Sequence, residues 1–208
     1  EVYKAQDDLY LVGTSEQSLG AMHMDEMLTA EEFPKRYAAY TPCFRREAGS
    51  HGKDVKGIFR LHQFNKVEMF SITTPEKSED EHQFLLQQQR TIMDAFELPY
   101  RVVRLAAGDL GAPSAKTYDI ETWIPSEGKY RETHSTSNTT TYQSRRLNIR
   151  YKNSEGETQK VHMLNGTAVA LSRLLIALIE NHQQPDGSVL LPKCLHPYLP
   201  FTTLSANS

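Results

Sequence analysis

The sequence predicts an α+β fold, a mostly antiparallel β-sheet flanked by helices. Three observations carry this reading. Successive strand-like segments are joined by short polar turns more often than by helices. The first strand is not followed by a Gly-rich turn that opens a helix. Strand and helix do not alternate along the chain, which excludes a doubly wound parallel sheet of the dinucleotide-binding type.

In chain order, "DLYLVG" reads as a strand that enters Gly13-Thr14, and Ser15 to Met22 as a short helix. Tyr37 to Arg46 and Ile58 to Ile72 read as the two strands of a long hairpin around a polar loop, Ala48 to Gly57. Ser78 with Glu81 has the spacing of a capping box and opens a helix that runs to about Phe96, where Leu98-Pro99 stops it. Tyr100 to Ala106 is a strand and "AGDLGAPSAK" a loop. Lys116 to Ile124 and Lys129 to His134 are strands, and Tyr142 to Arg146 is a short helix. "LNIRYKNSEGETQKVHML" is a hairpin that turns at Asn153–Gly156. Thr167 to His182 reads as an apolar helix, and "QQPDGSVLLP" turns out of it.

The 208 residues suffice for one large domain or two small ones, and 38% hydrophobic with 24% charged residues can build a real core. A net charge of −3 argues against a chain dominated by non-specific nucleic-acid binding but leaves room for a local basic patch, and DNA is not an expected partner. No apolar run reaches the ~20 residues that a membrane-spanning helix needs. The longest candidate, Ala168 to Ile179, is interrupted by Ser172 and Arg173. The opening "EVYKAQDDLYLVG" has neither the basic nor the apolar region of a signal peptide. Cys43 and Cys194 stand far apart and have no partner at metal-ligand spacing. Together these features predict a cytoplasmic setting without membrane contact.

The hairpin "YTPCFRREAGSHGKDVKGIFRLHQFNKVE" carries the chemistry. Strand side chains alternate between two faces. Cys43, Arg45 and Glu47 share one face of the first strand. Phe59, Leu61, Val67 and Met69 form an apolar face of the second, opposite Arg60, His62, Phe64, Lys66 and Glu68. A solvated face with cross-strand ion pairs explains this pattern, each pair contributing ~0–1 kcal/mol. A nucleotide site explains it as well. Arginines grip phosphate bidentately, Phe64 offers a flat surface to a base, and Glu68 can hold an ammonium. The loop would then close over a ligand, with Ser50, His51, Lys53 and Lys56 reaching in.

Two further segments bear on the choice. In "LNGTAVALSRLLIALIENHQ", Arg173 sits inside an apolar helix. It is either paired at the helix surface or turned to a ligand pocket, with Gly166, Ala168 and Ala170 allowing close approach. In "KYRETHSTSN", Glu132 and Ser135 put hard oxygens near a strand end, which suits Mg²⁺, although an ordinary polar strand end looks the same.

"FRREAGSHGKDVKGIFRLHQFNKVE" resembles motif 2 of the class II aminoacyl-tRNA synthetases in their seryl-tRNA synthetase form, and "LNGTAVALSR" is similar to motif 3. "GDLGAPSAKTYDIETWIP" and "YRETHSTSN" resemble the intervening segments, in order, and "GTSE" the Thr-x-Glu serine-binding loop. The resemblance runs from about Leu9 to Leu199 and implies an antiparallel sheet of six or seven strands flanked by helices. It implies a serine–tRNA ligase activity with ATP, L-serine and tRNA(Ser) as partners and Mg²⁺ as cofactor, tRNA(Sec) being a further acceptor.

The resemblance also implies roles. Arg45 holds the ATP α-phosphate and Glu47 accepts from the adenine amino group. Phe64 stacks on adenine, with Arg173 on its other face and reaching the γ-phosphate. Arg60 contacts the outer phosphates. Glu132 and Ser135 bind the metal. Thr14, Glu16 and Glu68 hold the serine ammonium and hydroxyl, Asn165 and Thr167 line the side-chain pocket, and Arg45 faces the serine as well.

The chain departs from the family pattern at Ala168 and Ser172, where many members have Gly. The family's motif 1, which forms a homodimer interface, and its N-terminal helical tRNA-binding arm do not occur in residues 1–208. The expectation is a partial catalytic domain with motifs 2 and 3, poor in tRNA charging by itself. A paralogue that loads a carrier protein, or an inactive RNA-binding homologue, would share this core.

Overall fold

The computed structural model describes residues 2–48, 54 and 57–205. In chain order it forms β1 (Tyr3–Lys4), β2 (Tyr10–Leu11), α1 (Glu16–Ala21), β3 (Met27–Thr29), β4 (Lys35–Phe44), β5 (Gln63–Thr73), α2 (Ser78–Ala95), β6 (Tyr100–Arg104), β7 (Lys116–Ile124) and β8 (Lys129–Asn138). There follow α3 (Tyr142–Arg146), β9 (Arg150–Lys152), β10 (Thr158–Lys160), β11 (His162–Ala170), α4 (Leu171–His182), β12 (Val189–Leu190) and β13 (Thr203–Leu204).

The main sheet has six strands in the order β4-β5-β11-β8-β7-β6. Every neighbouring pair is antiparallel, so the predicted sheet type holds. A small sheet, β10-β9-β3, contains one parallel pair, β3 with β9. The turn at Asn153–Gly156 lies as expected: Gly156 takes φ +80° and its N–H donates to the Asn153 carbonyl.

Two apolar layers sandwich the main sheet. On one face α2 and α4 bring Leu86, Met93, Leu174 and Ala177 against Ile120 and Ile124 of β7. On the other, Leu19 of α1 packs with Phe70 and Ile72 of β5, Met163 of β11, and Ile149 and Tyr151 near the small sheet. Helices thus cover both faces, the long ones on one side only. The fully buried Gln89 of α2 donates to the carbonyls of Ser135 (2.9 Å) and Thr167 (2.8 Å), tying the helix to two strands. His82 makes a similar bond to the Thr136 carbonyl at 3.0 Å.

Several boundaries differ from the sequence reading. The second hairpin strand begins at Gln63, not Ile58, because its partner β4 ends at Phe44, opposite Gln63. Phe59 and Leu61 therefore leave the apolar face. Val67 and Met69 are only half-buried, whereas Lys66 and Glu68 are buried, because their face continues into the Phe70–Ile72 core. The apolar helix begins at Leu171, not Thr167: Thr167 pairs with Glu68, Val169 with Val67 and Ala170 with Lys66. β8 runs on to Asn138 because its Thr/Ser-rich end pairs with β7 and β11. The capping box does not form. Ser78 Oγ donates to the Pro75 carbonyl, and Glu81 takes a bidentate pair from Arg36 and a bond from Ser71. Of "DLYLVG" only Tyr10 and Leu11 are strand, paired with Tyr3–Lys4.

Candidate active site

The main sheet carries a cleft of about 600 Å³, solvent at its mouth included. Its walls come from the segment after β4, the segment before β5, β5 itself, β8, β11 and the first turn of α4. Among its lining residues are Arg45, Glu47, Arg60, Phe64, Glu132, Ser135, Thr167 and Arg173, all expected from the sequence, with Phe59, Leu61 and Lys66 beside them. Thr14, Glu16, Glu68 and Asn165 do not line the cleft. They form a bonded cluster at its Lys66–Thr167 end. Ser50, His51, Lys53 and Lys56 lie outside the described residues.

The cations at the cleft are mostly matched. Arg60 Nη1 lies 2.5 Å from Glu47 Oε2 and its Nε 3.7 Å from Asp54. Arg131 grips both Asp54 oxygens at 2.7 Å. Burial is the largest influence on Asp54 and opposes its ionisation, but the Arg131 hydrogen bonds together with the charges of Arg131, Arg60 and Arg173 hold the carboxyl low. Arg173 is both paired and turned to the cleft: Nη1 donates to the Glu132 carbonyl at 3.0 Å and lies 3.3 Å from Glu132 Oε1.

Arg45 differs. Among the described residues it makes no ion pair; its Nε donates to the Gly13 carbonyl at 3.0 Å, and its guanidinium stands 5.3 Å from the Phe64 ring centre. An aromatic plane and a guanidinium that makes no ion pair among the described residues thus meet in one cleft, a combination that suits a nucleotide. Phe59 has moved from the expected core face to lie under Arg131 (4.0 Å) and Arg173 (4.9 Å).

Glu132 and Ser135 both reach the cleft from β8, with the Glu132 side chain half exposed. Asp119 stands opposite Ser135 across β7–β8, and its Oδ1 is buried with no hydrogen-bond partner among the described residues. Burial pushes the Asp119 carboxyl up to about 6, the Ser135 hydroxyl opposing. Burial pushes neighbouring His134 down to about 4, so it is neutral at pH 7. Among the described residues no group of three or more His, Cys, Asp or Glu could hold a metal by itself. The hard-oxygen pair Glu132 and Ser135 fits Mg²⁺, which is usually held by one or two carboxylates together with substrate phosphates.

At the other end Lys66 Nζ sits 2.5 Å from Glu68 Oε2 and donates to Thr14 Oγ1 at 2.9 Å. Thr167 Oγ1 donates to Glu68 Oε2 at 3.4 Å. Burial holds the Glu68 carboxyl above its usual range, with Lys66 opposing this in part. Glu16 Oε1 accepts from Gln143 at 2.6 Å and Asn165 at 2.9 Å. Lys66, Gln143, Phe59, Arg131 and Asp119 received no role from the sequence. For Lys66 a signal existed, since alternation puts it beside Glu68; Gln143 comes from a helix distant in sequence and had none.

Among the described residues no helix is long and apolar enough to cross a membrane.

Comparison with known proteins agrees with this geometry. Residues 2–182 match the family model of the tRNA synthetase class II core domain (G, H, P, S and T). A serine–tRNA ligase of Streptomyces coelicolor is 56% identical over 194 residues, 93% of this chain and 45% of that protein. One of Thermotoga petrophila is 53% identical over 206 residues, 98% of this chain and 48% of the relative. The crystal structure of seryl-tRNA synthetase from Pyrococcus horikoshii complexed with ATP superposes with a TM-score of 0.94 at 47% identity, covering 98% of this chain and 46% of that one. The cytoplasmic serine–tRNA ligase of Naegleria fowleri in complex with AMP gives 0.92 at 38%, over 99% of this chain and 49% of that one. The chain spans about half the length of the curated relatives it matches. With its sheet, strand order and cleft, the chain belongs to the class II aminoacyl-tRNA synthetase core-domain family.

Proposed function

We propose that this chain is the adenylate-forming core of a serine–tRNA ligase. It activates L-serine with ATP and passes it to the 3′ end of tRNA(Ser), with tRNA(Sec) as a further acceptor. The observation that carries the reading is the joint presence in one cleft of Arg45, free of any described carboxylate, and the Phe64 ring beside it. The similarity to serine–tRNA ligases, and to solved structures complexed with ATP and with AMP, supports it.

In this reading Arg45 binds the α-phosphate and the serine carboxylate, Phe64 and Arg173 flank adenine, and Glu47 receives its amino group. Arg60 and Arg173 meet the outer phosphates, exchanging Glu47 and Glu132 for phosphate oxygens. Thr14, Glu16, Glu68, Asn165 and Thr167 form the serine pocket. The serine carboxylate is already an anion at pH 7, so no general base is needed. One of its oxygens forms a bond to the α-phosphorus while the bond from phosphorus to the bridging oxygen breaks, and pyrophosphate leaves with the electron pair. The cations stabilise the charge that builds on the phosphorus oxygens, and the two pockets align the reactants. Mg²⁺, held by Glu132 and Ser135, adds charge neutralisation on the phosphates when bound. In the second step the terminal ribose hydroxyl attacks the serine carbonyl, the bond to AMP breaks, and the hydroxyl proton passes to solvent. Choice against alanine rests on a polar partner that alanine leaves unpaired. The full-length protein is in this reading a cytoplasmic homodimer.

The test is transfer of radiolabelled serine by the protein to purified tRNA(Ser), with a carrier thiol protein offered in parallel. Serine on tRNA supports the reading. Label on the carrier alone overturns the tRNA-ligase assignment, and absence of serine-dependent adenylate overturns the enzyme reading.

A further inference from the structure

We infer that Lys66, on the Glu68 side of β5, is a positioning residue of the amino-acid pocket: its ammonium keeps Glu68 a carboxylate, leaves one carboxylate oxygen for the substrate, and holds Thr14 in place. The inference rests on the serine-pocket reading above and adds a residue to it.

Three observations lead there. Lys66 is 6% exposed and Glu68 2% exposed. A lysine is almost never so buried unless paired, and a carboxylate buried without a cation takes up a proton instead. Second, Lys66 Nζ (2.5 Å) and Thr167 Oγ1 (3.4 Å) converge on the same Glu68 oxygen, Oε2. Oε1 takes no hydrogen bond from the described residues, so one acceptor remains for a substrate hydroxyl or ammonium. Third, the same ammonium donates to Thr14 at 2.9 Å. Thr14 lies 52 positions earlier, just before α1. One cation thus ties two walls of the pocket together, and Lys66 itself borders the cleft.

The surrounding charges give the direction. Besides Lys66, Glu68 feels Glu16 of α1, which raises its carboxyl, and Thr167 of β11, which lowers it. The Cys43 thiol of β4, pushed up by its burial, lies in the field of Lys66, Arg45 and Glu68. Burial is the largest influence and favours the protonated carboxyl; Lys66 is the largest opposing one. Without Lys66, Glu68 protonates at higher pH and offers the substrate a hydroxyl where an anion is needed.

The experiment combines kinetics with a direct titration. In serine-dependent ATP–pyrophosphate exchange, K66M raises the serine KM by about tenfold or more, the scale of one lost charged hydrogen bond. The ATP KM stays within about twofold, because the nucleotide contacts lie elsewhere in the cleft. The acid limb of kcat/KM for serine moves to higher pH. K66R, which restores the cation, recovers part of the serine KM and returns the acid limb. Equal loss in both KM values, or an unmoved acid limb in K66M, overturns the inference. Carboxyl-¹³C NMR of the unmodified protein, assigned with E68Q, reads Glu68 directly and needs no folded K66M. An ionised Glu68 at pH 7 is expected, and a protonated one contradicts the role. Absence of serine-dependent exchange in the unmodified protein refutes the proposed function, while the Glu68 titration still decides the Lys66–Glu68 coupling.

Discussion

Asn165 Nδ2 donates to Glu16 Oε1 at 2.9 Å, joining the middle of β11 to the first turn of α1 across 149 positions. Gln143 adds a second amide donor at 2.6 Å, and among the described residues Glu16 forms no ion pair. Two amides orient the carboxylate without cancelling its charge, which suits it to receive an ammonium. Asn165→Asp replaces a donor with a like charge. The expected result is a serine KM raised by about tenfold to a hundredfold with little change in that for ATP. Exchange kinetics with each substrate varied in turn check this.

Among the described residues Arg45 makes no ion pair, and its removal gives up the bond to the Gly13 carbonyl. Arg45→Ala lowers adenylate formation by about 10²–10³-fold, the scale of one transition-state donor. Single-turnover formation of the adenylate measures it, and a rate near that of the unmodified protein refutes the phosphate role.

Phe64 stands beside Arg45 with no bond that fixes the reacting atoms. Phe64→Ala therefore weakens ATP binding by about 1–3 kcal/mol and leaves the rate at saturating ATP near its original value. Calorimetric titration with ATP checks the first part and saturation kinetics the second.

Asp119 gives a pH signature. Burial lifts its carboxyl from 3.8 to about 6. A raised folded value means that its contribution to stability is full below 3.8 and is lost as pH rises through about 6. Asp119→Asn keeps an oxygen acceptor for Ser135 and carries no charge to bury. Its melting temperature relative to the unmodified protein is thus higher at pH 7.5 than at pH 4.5, which thermal unfolding across pH reads. An equal difference at both pH values contradicts the burial argument.

Gly166 has no room for a side chain: a Cβ there would sit 2.9 Å from Thr136 Oγ1 and 3.1 Å from Thr136 Cβ. Thr136 is held by its bond to the Asn165 carbonyl at 2.9 Å, so it does not yield easily. Gly166→Ala costs about 1–3 kcal/mol. For a chain of this size that lowers the melting temperature by about 2–4 °C per kcal/mol, measured by calorimetry.

The antiparallel sheet was legible because hairpin turns such as Asn153–Gly156 are local signals, and so was the meeting of Arg45, Phe64, Glu132 and Arg173, which sit in long motifs. What misled were residues whose fate depends on a partner strand. Thr167–Ala170 continue the apolar run of α4, but pairing with β5 holds them extended. Phe59 looked like core by alternation, yet β4 ends too early to pair with it, and it lies under two guanidiniums instead. Ser78 and Glu81 have capping-box spacing, but Arg36 and Ser71 offer Glu81 a better bonded, buried place. Lys66 read as one more charge on a polar face until burial showed that it must be paired.

The most direct test of the central claim is ATP–pyrophosphate exchange by the protein with each proteinogenic amino acid in turn. The account predicts exchange that depends on serine, with alanine and threonine poor substitutes, and that falls by about 10²–10³-fold in Arg45→Ala. Exchange that is absent with serine, or equal with alanine, would contradict it.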